Sequence, residues 1–546
     1  MLEYTLSTAN PCSQYLQIQL SIPIQFPAKI QLQLPAWRAG RYQLANYAQN
    51  IREFSIVQPD GSPVIFSKTS KDSWTFSAEA SGVYSVRYEY FAGKMDAGSS
   101  WIDDQQVYVN FVNCCLEVKG IANIPYSIRF SNPHFPKVIC TLPATKDGYL
   151  AKDFQELADS TLLAAQQLTQ WTYEVEGTHF NLWFHGEIHF EKEKFLQVFE
   201  QFTQKQIRDF GEFPEEEYHF IYQLLPYKHY HGVEHQKGTV ITYGPATELQ
   251  NKENLADLIG VSSHELYHSW NVCRIRPSEL YPYDFSKENY SDTGWILEGI
   301  TTYMGDLYLL KSGFFDLAEY SRELEKTLNR VAQHFGWMHQ SILESSRDLW
   351  LDGYQEGAPD RKQNIYANGA LIAFALDIVL LKHGHSLPQI MKLAWLKFGK
   401  QKRGYRHYSF WQLIARNTKN WNADLFFQDY IAGNKSIIDF LKSEIGNLGL
   451  NIASKPHESK LTHHLGVILA EDQIKKIHPH SPAYHQLMIG DLVEEVKFSP
   501  EKIELRIQRI NGTVHKQSYA MSDTTYFPKL TIEIEEENTL RKTWME

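Results

Sequence analysis

Short runs of alternating apolar and polar residues dominate the first third of the chain: Leu16-Gln17-Ile18-Gln19-Leu20, Ile30-Gln31-Leu32-Gln33-Leu34, Tyr84-Ser85-Val86-Arg87-Tyr88 and Val107-Tyr108-Val109-Asn110-Phe111. A period of two, broken by turns such as Pro59-Asp60-Gly61, predicts a mostly β domain over residues 1–187, with one helix near 161–167. The period then lengthens. Amphipathic stretches over 192–210, 255–271, 316–335 and 370–383 predict helices, and the runs 218–225 and 238–243 between them read as strands, so residues 188–450 form an α+β domain. The segment Ala453-Ser454-Lys455-Pro456-His457-Glu458-Ser459 reads as a linker. Strands resume at 466–469, 492–496, 503–507 and 529–534, in a small β-rich module over 460–546.

A length of 546 residues implies two to four domains, and 43% hydrophobic with 21% charged residues is globular composition. The net charge of −11 argues against nucleic-acid binding by bulk electrostatics. The richest apolar window, 370–381, is shorter than a membrane span and contains Asp377, which predicts a buried core helix in a soluble protein. The first residues lack the basic and apolar regions of a secretory signal, so a cytoplasmic location is expected. Five cysteines, Cys12, Cys114, Cys115, Cys140 and Cys273, make no CxxC pair and read as ordinary thiols.

The strongest chemical signal is His264-Glu265-Leu266-Tyr267-His268 inside a helical pattern. Spacing of i, i+4 puts both imidazoles on one helix face, where they can hold one Zn²⁺ while Glu265 reaches the attacking water. A helix with two satisfied histidines would look the same. What separates the readings is Glu298, in Trp295-Ile296-Leu297-Glu298-Gly299-Ile300-Thr301-Thr302-Tyr303 on the next helical segment. It completes a His₂Glu set, and three protein ligands leave a fourth position open, as a catalytic site requires.

These motifs resemble the glycyl aminopeptidases, PDZ-containing zinc exopeptidases of the gluzincin clan. The resemblance runs through His264 to Pro277, Glu298 to Asp306, Gln340-Ser341-Ile342-Leu343-Glu344-Ser345-Ser346, and Pro35-Ala36-Trp37-Arg38-Ala39-Gly40-Arg41-Tyr42 near the N-terminus. It implies a multidomain fold with an N-terminal β-sandwich-like domain, an α+β thermolysin-like catalytic domain and a C-terminal PDZ-like β-rich module. It also implies one Zn²⁺ per chain held by His264, His268 and Glu298, with Glu265 as general base. Tyr366-Ala367-Asn368-Gly369-Ala370 is similar to the family's Tyr-x-Lys-Gly-Ala, so Tyr366 is assigned the oxyanion hydrogen bond; Asn368 stands where lysine is usual. His231-Gly232-Val233-Glu234-His235 is similar to a substrate-lining element, with Gly232 and Val233 in substrate contact and Glu234 on the α-ammonium; His231 stands where the family has glycine. A preference for Gly or Ala at the N-terminus follows from the resemblance alone.

Leu465-Gly466-Val467, Ser481-Pro482-Ala483 and Gly490-Asp491 resemble the loop and turns of a PDZ module, which would take a peptide C-terminus. Asp306 reads either as support for a zinc histidine or as a surface acid, and Arg274 and Arg276 read as structural ion pairs. Glu344 and Asp348 carry no assigned chemistry. The implied partners are peptides with a free N-terminus, a peptide C-terminus and, compatible with these, a second copy of the chain; nucleic acid and membrane are not among them. Two rivals stand beside the aminopeptidase: a zinc endopeptidase, for which Glu234 would be idle, and a non-catalytic PDZ peptide-binding protein, against which Glu265 and Tyr366 speak.

Overall fold

The alternating runs form strands in the computed structural model, which describes residues 1–120, 124–355 and 357–546. Strand Tyr15–Ile24 buries every second residue, and it sits inside a seven-stranded sheet between Leu2–Ser7 and Gly82–Phe91. A four-stranded sheet built on Ala28–Gln33 and Ser73–Ala78 packs against it through aromatic contacts, Phe54 stacking on Trp74 at 4.7 Å and Phe76 meeting Tyr84 at 5.7 Å. The region is β-rich, as the period of two implies.

The helix expected near 161–167 is instead the strand Thr161–Ala165, hydrogen-bonded between Lys137–Cys140 and Gln106–Asn110. Buried on both faces, it reads as an unbroken apolar run, which periodicity cannot distinguish from a helix. The short helix lies just before it, at Phe154–Ala158.

Strands Thr169–Val175 and Thr178–His185 fall inside the expected N-terminal domain, yet they pair into a five-stranded sheet with Glu217–Leu224, Gly238–Gly244 and His229–His235. Helix Lys192–Phe210 connects two parallel neighbours of that sheet. Helix Lys252–Tyr267 begins at Asn251, whose side chain accepts the Glu253 amide hydrogen, and it is tied to the sheet by a 2.9 Å hydrogen bond between the Tyr222 and Ser262 hydroxyls. Small residues then bring helix Ile300–Lys311 close. The Ser263 hydroxyl donates to the Gly305 carbonyl at 2.8 Å, Gln206 donates to the Ser263 carbonyl at 3.1 Å, and a Cβ on Gly305 would crowd the His264 backbone at 3.1 Å. Three helices are thereby locked around the segment that carries the histidines.

The chain divides into two compact units, the first comprising Met1–Phe314, Ser346–Gly357 and Leu387–Lys419, the second Phe315–Ser345, Ala358–Ser386 and Asn420–Glu546. In the second, helix Leu317–Ala332 starts with a capping box between Asp316 and Glu319, and helix Ala367–Lys382 is buried along nearly its whole length. Among the described residues no single helix is long and apolar enough to cross a membrane.

The expected linker begins as strand Leu450–Lys455, paired antiparallel with Lys529–Ile534. The terminal helix Thr539–Met545 places Trp544 against Tyr320 and Phe374. Those C-terminal elements therefore pack on helices of the catalytic region's sequence. The separate small sheet runs from Val467–Ala470 to Val514–Ala520 around its own core of Leu465, Ile474, Leu487, Ile503 and Ile507.

Candidate active site

His264 lies in the last turn of helix Lys252–Tyr267 and His268 caps it, which brings their Nε2 atoms to 3.0 Å from one another. Glu298 comes from a π-helical turn, Trp295–Gly299, that opens into helix Ile300–Lys311. Its Oε2 lies 3.4 Å from His268 Nε2 and 3.8 Å from His264 Nε2. Ligands about 2.0–2.1 Å from a tetrahedral ion are about 3.3 Å apart, so these three atoms have the spacing of a Zn²⁺ site.

The tautomer fits as well. His268 Nδ1 lies 2.9 Å from the Asn271 carbonyl, which can only accept, so Nδ1 carries the hydrogen and Nε2 presents its lone pair. The Asn271 amide in turn donates to the carbonyls of Ile296 at 2.8 Å and Leu297 at 3.3 Å, within the turn that carries Glu298. Turns of this kind release carbonyls from the helical ladder, and Asn271 satisfies them.

Burial dominates the site's titration. It raises the Glu265 carboxyl to about 8, with Glu234 and Glu298 pushing the same way and His268 opposing. It also raises Glu298 against the opposing His268, and it holds His264 well below the ordinary imidazole range with His268 adding to the effect. At His268 burial is outweighed by the Glu298 carboxylate, helped by Glu234 and Glu265, and the imidazole rises to about 10. Three buried carboxyl groups crowded around two imidazoles form a donor set that suits a divalent cation.

Glu265 and Glu234 complete the arrangement. Each offers an oxygen within 4.8 Å of the other and of a His268 nitrogen, and each keeps one buried oxygen, Glu265 Oε2 and Glu234 Oε1, without a hydrogen-bond partner among the described residues. Gly232 and Glu234 lie on one face of strand His229–His235, and a Cβ on Gly232 would overlap the Glu265 carboxylate. That strand is the sheet's edge. Its neighbour Gly238–Gly244 is hydrogen-bonded on both sides and has no edge to offer a peptide.

Strand alternation also sorts the neighbours. The Val233 side chain turns to the opposite face and packs with Tyr108, Leu163, Ile221 and Val240, so only its main chain borders the cleft. His231 points the same way as Val233: its Nε2 accepts from Arg38 Nη2 at 3.2 Å and its Nδ1 is 3.7 Å from Asp96. Its bulk therefore leaves the cleft side open, which the missing family glycine had put in doubt. Arg274 forms an ion pair with Glu215 as expected, whereas Arg276 donates to the carbonyls of Val272 and Cys273 and lies over the Tyr283 ring at 4.0 Å. Asp306 is half-buried on helix Ile300–Lys311. Tyr366 caps helix Ala367–Lys382 in the second unit, where Asn368 is buried and accepts from the Asn364 amide at 3.3 Å.

Sequence reasoning missed Asn271, Gly40 and Tyr42 as site residues. Gly40, at φ +72°, lies so close to Glu234 that a Cβ would overlap its carboxylate, and the Tyr354 hydroxyl donates to the Gly40 carbonyl at 3.3 Å. The Tyr42 hydroxyl is buried without a partner among the described residues, and burial raises its phenol pKa, with the carboxylates of Glu298 and Glu234 among the charges that add to this. The motif Trp37 to Tyr42 was the available signal, but no spacing rule ties it to a helix more than two hundred residues away.

The Peptidase M61 N-terminal domain model matches residues 3–166 and the M61 glycyl aminopeptidase model residues 257–372, together just over half of the chain. No curated protein matches the sequence. A crystal structure described as an aminopeptidase N family protein from Idiomarina loihiensis superposes with a TM-score of 0.89 at 22% identity, covering 100% of each chain. An M1 zinc metallopeptidase from Deinococcus radiodurans gives 0.51 at 15% identity over 80% of this chain and 94% of that one, and a mutant of it bound to a Tyr-Ser-Ala substrate gives 0.50. At these identities the superpositions speak for the fold. The converging histidines and glutamates and the two family matches agree: this chain is a metallopeptidase of the M61 glycyl aminopeptidase family.

Proposed function

We propose that the protein is a zinc aminopeptidase that removes the N-terminal residue of peptides, with Gly or Ala preferred and one Zn²⁺ per chain on His264, His268 and Glu298. The observation that carries this reading is the position of Glu234, whose carboxylate lies within 4.8 Å of Glu265 and His268. That proximity puts a carboxylate beside the ligand cluster, where it can accept a charge-assisted hydrogen bond from the α-ammonium of the residue being released. The match to the M61 glycyl aminopeptidase model supports the small-residue preference.

When bound, the zinc ion supplies a Lewis acid that polarises the scissile carbonyl and acidifies a water. Glu234 anchors the α-ammonium and thereby places the first peptide bond at Glu265. Glu265 takes the proton of the attacking water and returns it to the leaving amine, so one carboxylate serves both proton transfers. Tyr366 is assigned the hydrogen bond to the developing oxyanion on its motif context, Tyr366-Ala367-Asn368-Gly369-Ala370. The edge strand His229–His235 offers its free main-chain groups to the peptide backbone.

We read the small C-terminal sheet as PDZ-like; Gly466 at φ +71° precedes the edge strand Val467–Ala470, which a peptide C-terminus could extend. The test of the main reading compares one Gly-initiated peptide free and N-acetylated. Release of glycine from the free peptide alone is expected. Equal cleavage of both would transfer the enzyme to the endopeptidases.

A further inference from the structure

We infer that Tyr230 forms a subsite for the first two residues after the scissile bond and selects apolar or aromatic side chains there. The inference rests on the aminopeptidase reading above. Tyr230, Gly232 and Glu234 occupy alternate positions of the edge strand His229–His235, so all three face the cleft. Gly232 lies against Glu265, and Glu234 is the ammonium anchor.

This order sets the direction of the bound peptide. With its amine at Glu234 and its first carbonyl at Glu265, opposite Gly232, the peptide runs antiparallel to the strand and its leaving portion continues toward Tyr230. Two residues of strand separate Gly232 from Tyr230, about 7 Å, which is the advance of a peptide over two residues. The ring therefore lies beside the first or second side chain of the leaving peptide.

Tyr230 is suited to that task. It is 62% exposed, whereas the other tyrosines around the catalytic helix, Tyr218, Tyr222 and Tyr267, are fully buried. The Tyr243 ring braces it from behind, with centroids 6.0 Å apart at 65°. Burial of its hydroxyl end is the largest cause that raises its phenol pKa, and Asp257, Glu265 and Asp306 add to it, so an acidic side chain entering beside it would meet like charge. An apolar side chain covering the ring gains both burial and aromatic contact.

The test measures kcat/KM for release of glycine from Gly-Phe-Phe-Ala, Gly-Gly-Gly-Ala and Gly-Asp-Asp-Ala, which vary both leaving residues within reach of the ring. Wild type should favour Phe over Gly by about 3- to 10-fold, the size of one aromatic contact, with Asp the poorest. Tyr230→Ala should bring the Phe-to-Gly ratio close to one, and Tyr230→Phe should keep it. A ratio that survives Tyr230→Ala in a protein with unchanged melting temperature overturns the assignment, as does a wild type indifferent to both leaving residues. Failure of wild type to release glycine from any of the three would instead strike the aminopeptidase reading itself.

Discussion

Asn271 accepts the His268 Nδ1 hydrogen on its main-chain carbonyl at 2.9 Å, and its side-chain amide donates to the Ile296 carbonyl at 2.8 Å and the Thr301 hydroxyl at 3.0 Å. One residue thus orients a ligand on the first helix and clamps the turn that delivers Glu298. Asn271→Ala keeps the main-chain carbonyl that orients His268 but removes the clamp on the turn that carries Glu298, so it should destabilise the protein by about 1–3 kcal/mol through the buried carbonyls left unpaired and weaken zinc retention by about 10- to 100-fold. Thermal melts and chelator competition measure the two effects; undiminished zinc retention would remove Asn271 from the positioning role.

Metal removal is the second expectation. The protein should carry one zinc per chain by elemental analysis, lose activity on chelation and regain it on addition of zinc. Full activity in demonstrably metal-free protein would exclude the His264, His268 and Glu298 mechanism.

Glu265→Gln should keep its zinc and its fold while turnover falls by about two to four orders of magnitude, the usual contribution of a positioned acid–base group. Single-turnover rates on metal-loaded protein measure it. Undiminished turnover would assign the proton transfers elsewhere.

Glu234→Ala should lose about 10- to 100-fold in kcat/KM on free peptides, equivalent to one charge-assisted hydrogen bond. Blocked peptides carry no ammonium to anchor, so their already poor cleavage should barely change. A uniform loss on both would mean that Glu234 acts through the neighbouring carboxylates and does not read the N-terminus.

Stability should fall with acid through His231. Burial is the largest cause of its low pKa, about 3; Arg38, Arg41 and His229 lower it further, and Asp96 opposes them. The unfolded chain therefore takes up a proton below about pH 6.5 that the folded protein refuses until about pH 3, and stability declines as pH drops through that window. Between pH 7 and 5 the loss is about 1–2 kcal/mol, and His231→Gln should remove that share of the slope. Asp96, lowered to about 2, contributes only below its ordinary carboxyl range near 3.8 and leaves this interval untouched. Parallel pH slopes for the two proteins would contradict the assignment.

Elements whose pattern is local were legible in the residues alone. Helix Lys192–Phe210 stands where its apolar stripe predicts, and His264, Glu265 and His268 share one helix end because a spacing of four is one turn. Glu298 was legible because an open His₂Glu set needs a third ligand and the following segment carries a glutamate. The strand Thr161–Ala165 was misread for a physical reason: burial on both faces erases the alternation that marks a strand.

Only the tertiary structure decided which strand is the edge. Sheet order comes from pairing between distant segments, and nothing in the residues Gly238–Gly244 announces that Glu217–Leu224 will lie on one side and His229–His235 on the other. The same holds for Gly40, Tyr42 and Asn271. Their roles come from close approach across the fold, at a carboxylate, in a buried space and between two helices, and contacts of that kind leave no period in the sequence.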